Sequence, residues 1–282
     1  MTARLASSIA ALALLLGLAE GAFATPFTFS TGDPDGRIAT ATRPAGSGKI
    51  EIESADDFIV GPGVAIISKA IFAGLLTAGT VGEVRVEIYR VFPGDSTVPP
   101  SGNVPTRVNS PSDVAFAERD STGGTLSFAT STLAASFTAS NSVVNGINKA
   151  PNQTTGGEGP VTGQEILFSV SFTTPFVLPS DHYFFVPQVQ VTGGEFLWLS
   201  APRPIVSPGT PFSPDLQSWV RNENLDPDWL RIGADIVGGS PAPAFDASFA
   251  LAGDLAPAPE PGTLLLLGST LVGLGIRVRR RR

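Results

Sequence analysis

The chain has no cysteine, one histidine and one methionine in 282 residues. Without cysteine, neither a disulfide framework nor a thiolate-ligated zinc or iron–sulfur centre can form. With a single histidine, a metal site built from several imidazoles is excluded as well. Charge is sparse: Asp and Glu total 25 against 18 Lys and Arg, a net charge of −7. That balance gives no basic surface to neutralise phosphates, so nucleic acid is not an expected partner. Long helices are opposed by 31 Gly and 25 Pro, because both residues interrupt them. The hydrophobic fraction of 42% is nevertheless enough to build a core.

The apolar residues that are present concentrate at the two ends. Arg4 supplies a positive start, Leu5 to Leu18 is apolar or small throughout, and Ala22-Phe23-Ala24 places small residues at Ala22 and Ala24. A charged start, a short apolar run and A-x-A spell an export signal. Its ~14-residue run is short for a membrane span of about 20 residues. Residues 1–24 are therefore expected to form a signal helix, removed by signal peptidase after passage through the general secretion machinery.

At the other end, Pro259-Glu260-Pro261 precedes the uncharged run Gly262 to Ile276, and Arg277, Arg279, Arg280, Arg281 and Arg282 close the chain. A helix of that length covers ~22 Å at ~1.5 Å per residue, short of the ~30 Å hydrocarbon layer. The arginines can snorkel to phosphates and should stay on the cytoplasmic side. The two prolines hold the Pro-Glu-Pro segment out of the helix in an extended form. This order of parts, over Pro259 to Arg282, is similar to the PEP-CTERM sorting signal, and residues 257–282 are expected to form that signal as a separate segment. The resemblance implies recognition by exosortase, an integral membrane protease-like enzyme, in a cell that makes exopolysaccharide. It implies an exported protein that is transiently anchored in the inner membrane, then delivered to the cell surface or extracellular matrix.

Residues 25–256 form the remaining body. Arg4, Glu20, Glu260 and the five C-terminal arginines lie outside it, leaving 12 basic and 23 acidic residues. Its periodicity is that of strands. Glu83 to Phe92 sets Val84, Val86 and Ile88 on one face with Glu83, Arg85 and Glu87 on the other. Gln164 to Phe172 points Ile166, Phe168, Val170 and Phe172 the same way. His182 to Val191 and Glu195 to Leu199, separated by Thr192-Gly193-Gly194, predict a hairpin, and Pro187 predicts an edge or bulge within it. Lys49 to Glu53, Ala65 to Phe72, Leu126 to Phe128, Ala134 to Thr138 and Phe245 to Leu251 complete the set. The expected fold is all-β, a jelly-roll-like antiparallel β-sandwich in one domain, with Val91 to Asp113 and Val143 to Gly163 as long loops. Ser54-Ala55-Asp56-Asp57-Phe58, Val86 to Arg90, Trp219, Trp229-Leu230-Arg231 and Asp246 to Asp254 together resemble exported jelly-roll modules.

Candidate chemistry in the body is thin. Ser180-Asp181-His182 is contiguous, whereas triad members converge from separate loops. Ala45-Gly46-Ser47-Gly48-Lys49 lacks the first glycine and the final hydroxyl of a phosphate loop. Asp56 and Asp57 should point to opposite faces of a strand, which disfavours a glycosidase pair. Asn222, Asn224, Asp226 and Asp228 alternate oxygen side chains of the kind calcium takes, and Asp33-Pro34-Asp35-Gly36 is a second oxygen-rich turn. Trp219 and Trp229 flank the first of these and are candidates for an exposed glycan platform, whereas Trp198 fits a core. The sequence thus points to a non-catalytic exported protein with a structural or adhesive role beside exopolysaccharide and no cofactor. The alternative is a carbohydrate-binding module dependent on calcium, with a glycoside hydrolase a more distant option.

Overall fold

Two long strands organise the molecule, and in both the sequence switches the direction of its alternation part-way. The computed structural model describes residues 25–96, 102–147, 154–202 and 216–256. The chain divides into two units, and these residues lie in one of them, Pro26–Leu255, apart from Thr25 and Ala256 at its borders. The strands are β1 (Thr25–Ser30), β2 (Ala39–Ala41), β3 (Ile52–Leu76), β4 (Thr80–Arg90), β5 (Ala117–Asp120), β6 (Leu126–Ala139) and β7 (Ser142–Val143). They continue as β8 (Val161–Thr192), β9 (Phe196–Ala201), β10 (Trp219–Asn222), β11 (Leu230–Arg231), β12 (Asp246–Ala247) and β13 (Phe249–Ala256). One π-helical turn, Ile232–Val237, follows β11.

The ladder order is β5-β4-β8-β3-β9-β2-β7, with β6 on β8 and β10 on β3. Among β2 to β12 every pair is antiparallel except β2–β7, which is parallel. The all-β expectation holds, with that parallel pair making the sheet mixed.

Strands β3 and β8 pair along most of their length, from Asp56↔Phe185 to Leu76↔Gln164, with register shifts between Val60 and Val64 and between Ile67 and Lys69. Gly61-Pro62-Gly63 fills the first shift, and Gly63 has φ +126°, a value a side chain rarely tolerates. These irregularities let both strands turn a corner. The partner of Phe185 is Asp56, sixteen residues before Phe72 on β3; along a straight strand that offset is about 50 Å. The Phe72 and Phe185 rings are 6.3 Å apart. The ladder therefore folds back on itself, and its two halves become facing layers of a sandwich. One layer runs β6, the first half of β8, the second half of β3, then β9; the other runs β5, β4, the second half of β8 and the first half of β3.

The core lies between those halves. Phe58, Phe72, Phe168, Phe176, Phe185 and Phe196 are all fully buried. Phe72 stacks on Phe168 at 4.9 Å, and Phe185 stacks on Phe249 at 5.0 Å. The alternation read in β4 is correct: Val84, Val86 and Ile88 are sealed. From Tyr183 to Val189, β8 is buried on both faces, because a segment carrying Leu216, Trp219 and Trp229 covers the outer side at Phe184 and Val186.

The expected hairpin between 182–191 and 195–199 is replaced by a different connection. β9 pairs with the second half of β3 and the end of β8 pairs with β4, so Thr192-Gly193-Gly194 carries the chain from one layer to the other. Pro187 pairs with Val86 of β4. On its other side β3 has already left the ladder, and the Thr42 hydroxyl donates to the Pro187 carbonyl at 2.5 Å. Proline is tolerated there because no strand asks for its missing N–H. The Val143 to Gly163 stretch is tied back by Glu158, whose carboxylate accepts from the backbone N–H of Val144, Asn145 and Gly146.

Truncating the aromatic that joins the layers should be expensive. Phe185→Ala should cost ~3–5 kcal/mol. Ala at Ile71, which is 41% exposed on the outer face, should stay within ~0.5 kcal/mol. Urea denaturation midpoints of the two variants check the difference.

Candidate functional site

Chemistry-bearing side chains gather where β3 enters the sandwich. Asp56 and Asp57 pair with Phe185 and Phe184 of β8, and Asp246 opens β12 against Ala201 of β9. One oxygen from each of Asp56, Asp57 and Asp246 lies within 4.8 Å of the others. The expectation that Asp56 and Asp57 diverge is thus overturned for their carboxylate tips: alternate strand faces separate side-chain directions, yet oxygens of neighbouring residues still reach a common acidic partner.

Asp56 accepts from the Ala247 N–H at 2.7 Å and from the Ser218 hydroxyl at 3.3 Å. Burial drives its pKa well above the usual carboxylate range, and the charges of Asp246 and then Asp57 push the same way. His182 Nε2 lies 2.7 Å from Asp57 Oδ2, and the imidazole stacks on Phe184. The histidine therefore works with Asp57 and not with its sequence neighbours: Asp181 accepts its backbone N–H and Ser180 donates to the Val60 carbonyl.

Three carboxylate oxygens suit a hard cation, but calcium takes six to eight oxygens. The cavity beside Asp246, lined by Thr40, Ser54, Ser200 and Ser218, measures about 10 Å³, the room of one water. Asp56 and Asp246 are 1% and 4% exposed, so a sugar cannot reach them. What this geometry does is tie β3 to β12, through the Ala247 N–H that Asp56 accepts.

A larger ionic network lies on the outer side of β3 and β4, and it uses residues that sequence reasoning passed over. Arg221 on β10 binds Glu53 through Nε and Nη2 and donates to the Tyr89 hydroxyl at 2.9 Å. It pairs with Asp226 at 2.7 Å and stacks over Trp229. Tyr89 donates to Glu53 at 2.6 Å. Glu87 closes the cluster: burial first, then the charge of Glu53 and a hydrogen bond to it, raise its pKa to about 9. Burial opposes the charge on Arg221, yet Glu53 and Tyr89 raise its pKa. Beside it, Arg107 holds Asp228 at 2.6 Å and also Asp113. These two arginines staple the 102–116 loop and the 216–231 segment to the sandwich. The only sequence signal was a lone Arg inside Trp219-Val220-Arg221.

The network corrects two expectations. Trp219 and Trp229 are 1% and 0% exposed, packed with Tyr89, Phe184 and Val186, so they form no glycan platform: their rings are needed to cover the apolar outer face of β8. The oxygens of the 222–228 loop make other contacts than the expected calcium. Asn222 Oδ1 accepts from the Asn224 and Leu225 N–H groups, Asn224 is exposed, and Asp226 and Asp228 pair with Arg221 and Arg107. Asp35 likewise caps its own turn, accepting from the Arg37 N–H and the Ser200 hydroxyl. Lys49 is paired with Glu195 at 2.6 Å. Trp198 is a core residue, as expected.

The expected signal-cleavage residues Ala22 and Ala24, the Pro259-Glu260-Pro261 motif and the basic cluster Arg277, Arg279, Arg280, Arg281 and Arg282 lie outside the described residues. So does the expected membrane helix; among the described residues no helix is long and apolar enough to cross a membrane. Comparison with known families decides the tail: the family described as the PEP-CTERM protein-sorting motif matches residues 257–281. The chain carries a PEP-CTERM sorting motif. No curated protein and no solved structure matches the chain, so the jelly-roll resemblance of the body gains no support from a relative. The PEP-CTERM motif marks an exported protein that passes the membrane and is sorted by exosortase to the cell surface.

Two measurements test the site. Glu87 binds a proton in the folded chain up to a pH of about 9 but releases it near ~4.3 when unfolded. The folded state then holds more protons between those values, so this group's contribution to stability falls as pH rises through that window. Asp56, also raised, acts in the same direction, whereas the lowered Glu158 acts at more acid pH. Urea midpoints should decline from about pH 5 to about pH 8.5, with a shallower decline in Glu87→Gln. In the second, Arg221→Met should cost about 3–5 kcal/mol by stranding Glu53, and the further change Glu53→Met should recover much of that loss. Equal instability of the single and double variants would argue against a stranded charge.

Proposed function

We propose that the chain is a non-catalytic structural or adhesive component of an exopolysaccharide layer, delivered there by exosortase. The observation that carries this reading is the PEP-CTERM motif at residues 257–281. The body supports it by its construction. In its most concentrated carboxylate group Asp56 and Asp246 are buried and Asp57 is half-buried, and its buried arginines hold loops to the sandwich. Such a body works through its surface.

In this reading signal peptidase cuts after Ala24 and secretion carries the body across the inner membrane. Gly262 to Ile276 then stops in the bilayer with Arg277 and Arg279 to Arg282 on the cytoplasmic side. Pro259-Glu260-Pro261 stays extended at the outer membrane face, where a protease can grip it. The loss of the Trp219 and Trp229 platform removes the specific ground for a calcium-dependent glycan module.

Substitution of the motif tests this directly. In cells with active exosortase, Glu260→Gln, or deletion of Arg279 to Arg282, should leave the protein in the inner-membrane fraction while wild type reaches the surface. Fractionation that finds both variants distributed as wild type would overturn the proposal.

A further inference from the structure

Sheet edges expose unpaired backbone N–H and C=O groups, and folded proteins blunt them by shortness, charge, proline or bulges. Most edges here follow that rule. β5 has four residues and carries Glu118, Arg119 and Asp120. β7, β11 and β12 have two residues each. β6 does not follow it. It runs fourteen residues, contains neither proline nor charge, and among the described residues pairs only with β8. The charge-free stretch extends from Ser121 to Asn148. Irregular register sets in beyond Thr132, but Leu126 to Thr132 keeps an unbroken ladder with Phe172 to Ile166. From Ala129 to Leu133 every residue is exposed.

We propose that Leu126–Thr132 pairs antiparallel with the same strand of a second copy, across a two-fold axis at Ala129, joining two sandwiches through one continuous layer. Two observations choose a second copy over a foreign strand. The body is acidic, with 23 acidic against 12 basic residues, and this edge is the long stretch without charge, so copies do not repel along it. About Ala129 the strand is also self-complementary. Ser127 faces Ser131, a small polar pair of the kind that stabilises cross-strand contacts, and Phe128 faces Thr130. Phe128 is only partly buried, packed on Phe168 at 6.1 Å, and the partner's Thr130 would cover its open side. A two-fold contact of this kind closes on itself and gives a dimer, not a filament. The proposal goes beyond the sorting and adhesive role and does not depend on it.

The absence of cysteine makes the test direct. The full chain, purified in mild detergent, should sediment as a dimer. With Ala129→Cys the two thiols meet across the axis, where directly opposed residues have Cα atoms about 4.5–5.5 Å apart, within disulfide range. Oxidation should give a reducible dimer band, whereas Ala117→Cys on β5 should stay monomeric on the same gel. Ser131→Lys, at an exposed position, should abolish the dimer while circular dichroism stays as in wild type. A monomeric wild type, an Ala129→Cys variant that does not cross-link, or a dimer that survives Ser131→Lys would each overturn the proposal. The last outcome would place self-association in the apolar tail.

Discussion

The body depends on one ladder. β3 and β8 pair with each other across both layers, so the sandwich is made by bending a single antiparallel pair and not by docking two separate sheets. The bend brings Phe72 to Phe185 and lets Phe249 and Trp198 close the same aromatic cluster. Everything else attaches to that frame: β4 and β6 lie on β8, β9 and β10 lie on β3, and the carboxylate trio sits where β3 begins its run.

Attachment has a polar side as well. The outer face of the second half of β8 is apolar, at Phe184 and Val186, and needs cover. Trp219 and Trp229 supply it, and Arg221 and Arg107 fix the covering segments through buried acids. Burying so many charges is costly unless each is matched. Here each arginine meets at least two acids or a phenol, and the surplus negative charge is relieved by keeping Glu87 protonated. At Asp56 burial, and then the charges of Asp246 and Asp57, likewise raise the carboxyl pKa.

The fold class was legible because period-two alternation survives in β4 and in the first half of β8, where one face is wet. It failed at the long strands. Gly61-Pro62-Gly63 and Thr173-Thr174-Pro175 look like breaks between elements, yet they are corners within continuous strands. The 182–199 region looked like a hairpin because turn chemistry at Thr192-Gly193-Gly194 is local, whereas the placing of its two arms in different layers is a long-range choice. For the site, the sorting tail was legible in full, since an address read by an enzyme must be written contiguously. The ionic network was not: Glu53, Glu87, Arg107 and Arg221 come from four separate segments, and sequence spacing says nothing of their meeting. Trp219 and Trp229 were misread for the same reason, because an aromatic beside acidic residues describes a wet platform and a sealed cation stack equally well.

Body and tail therefore divide the work. The body is a sandwich whose buried acids and arginines pair with one another, and the tail carries the destination. The intact mass of the mature protein, taken from otherwise identical cells with and without active exosortase, tests that division most directly. The account predicts a chain beginning at Thr25 in both, lacking its Arg-rich terminus only when the enzyme is active. A mature protein that still ends at Arg282 in the enzyme's presence would contradict it.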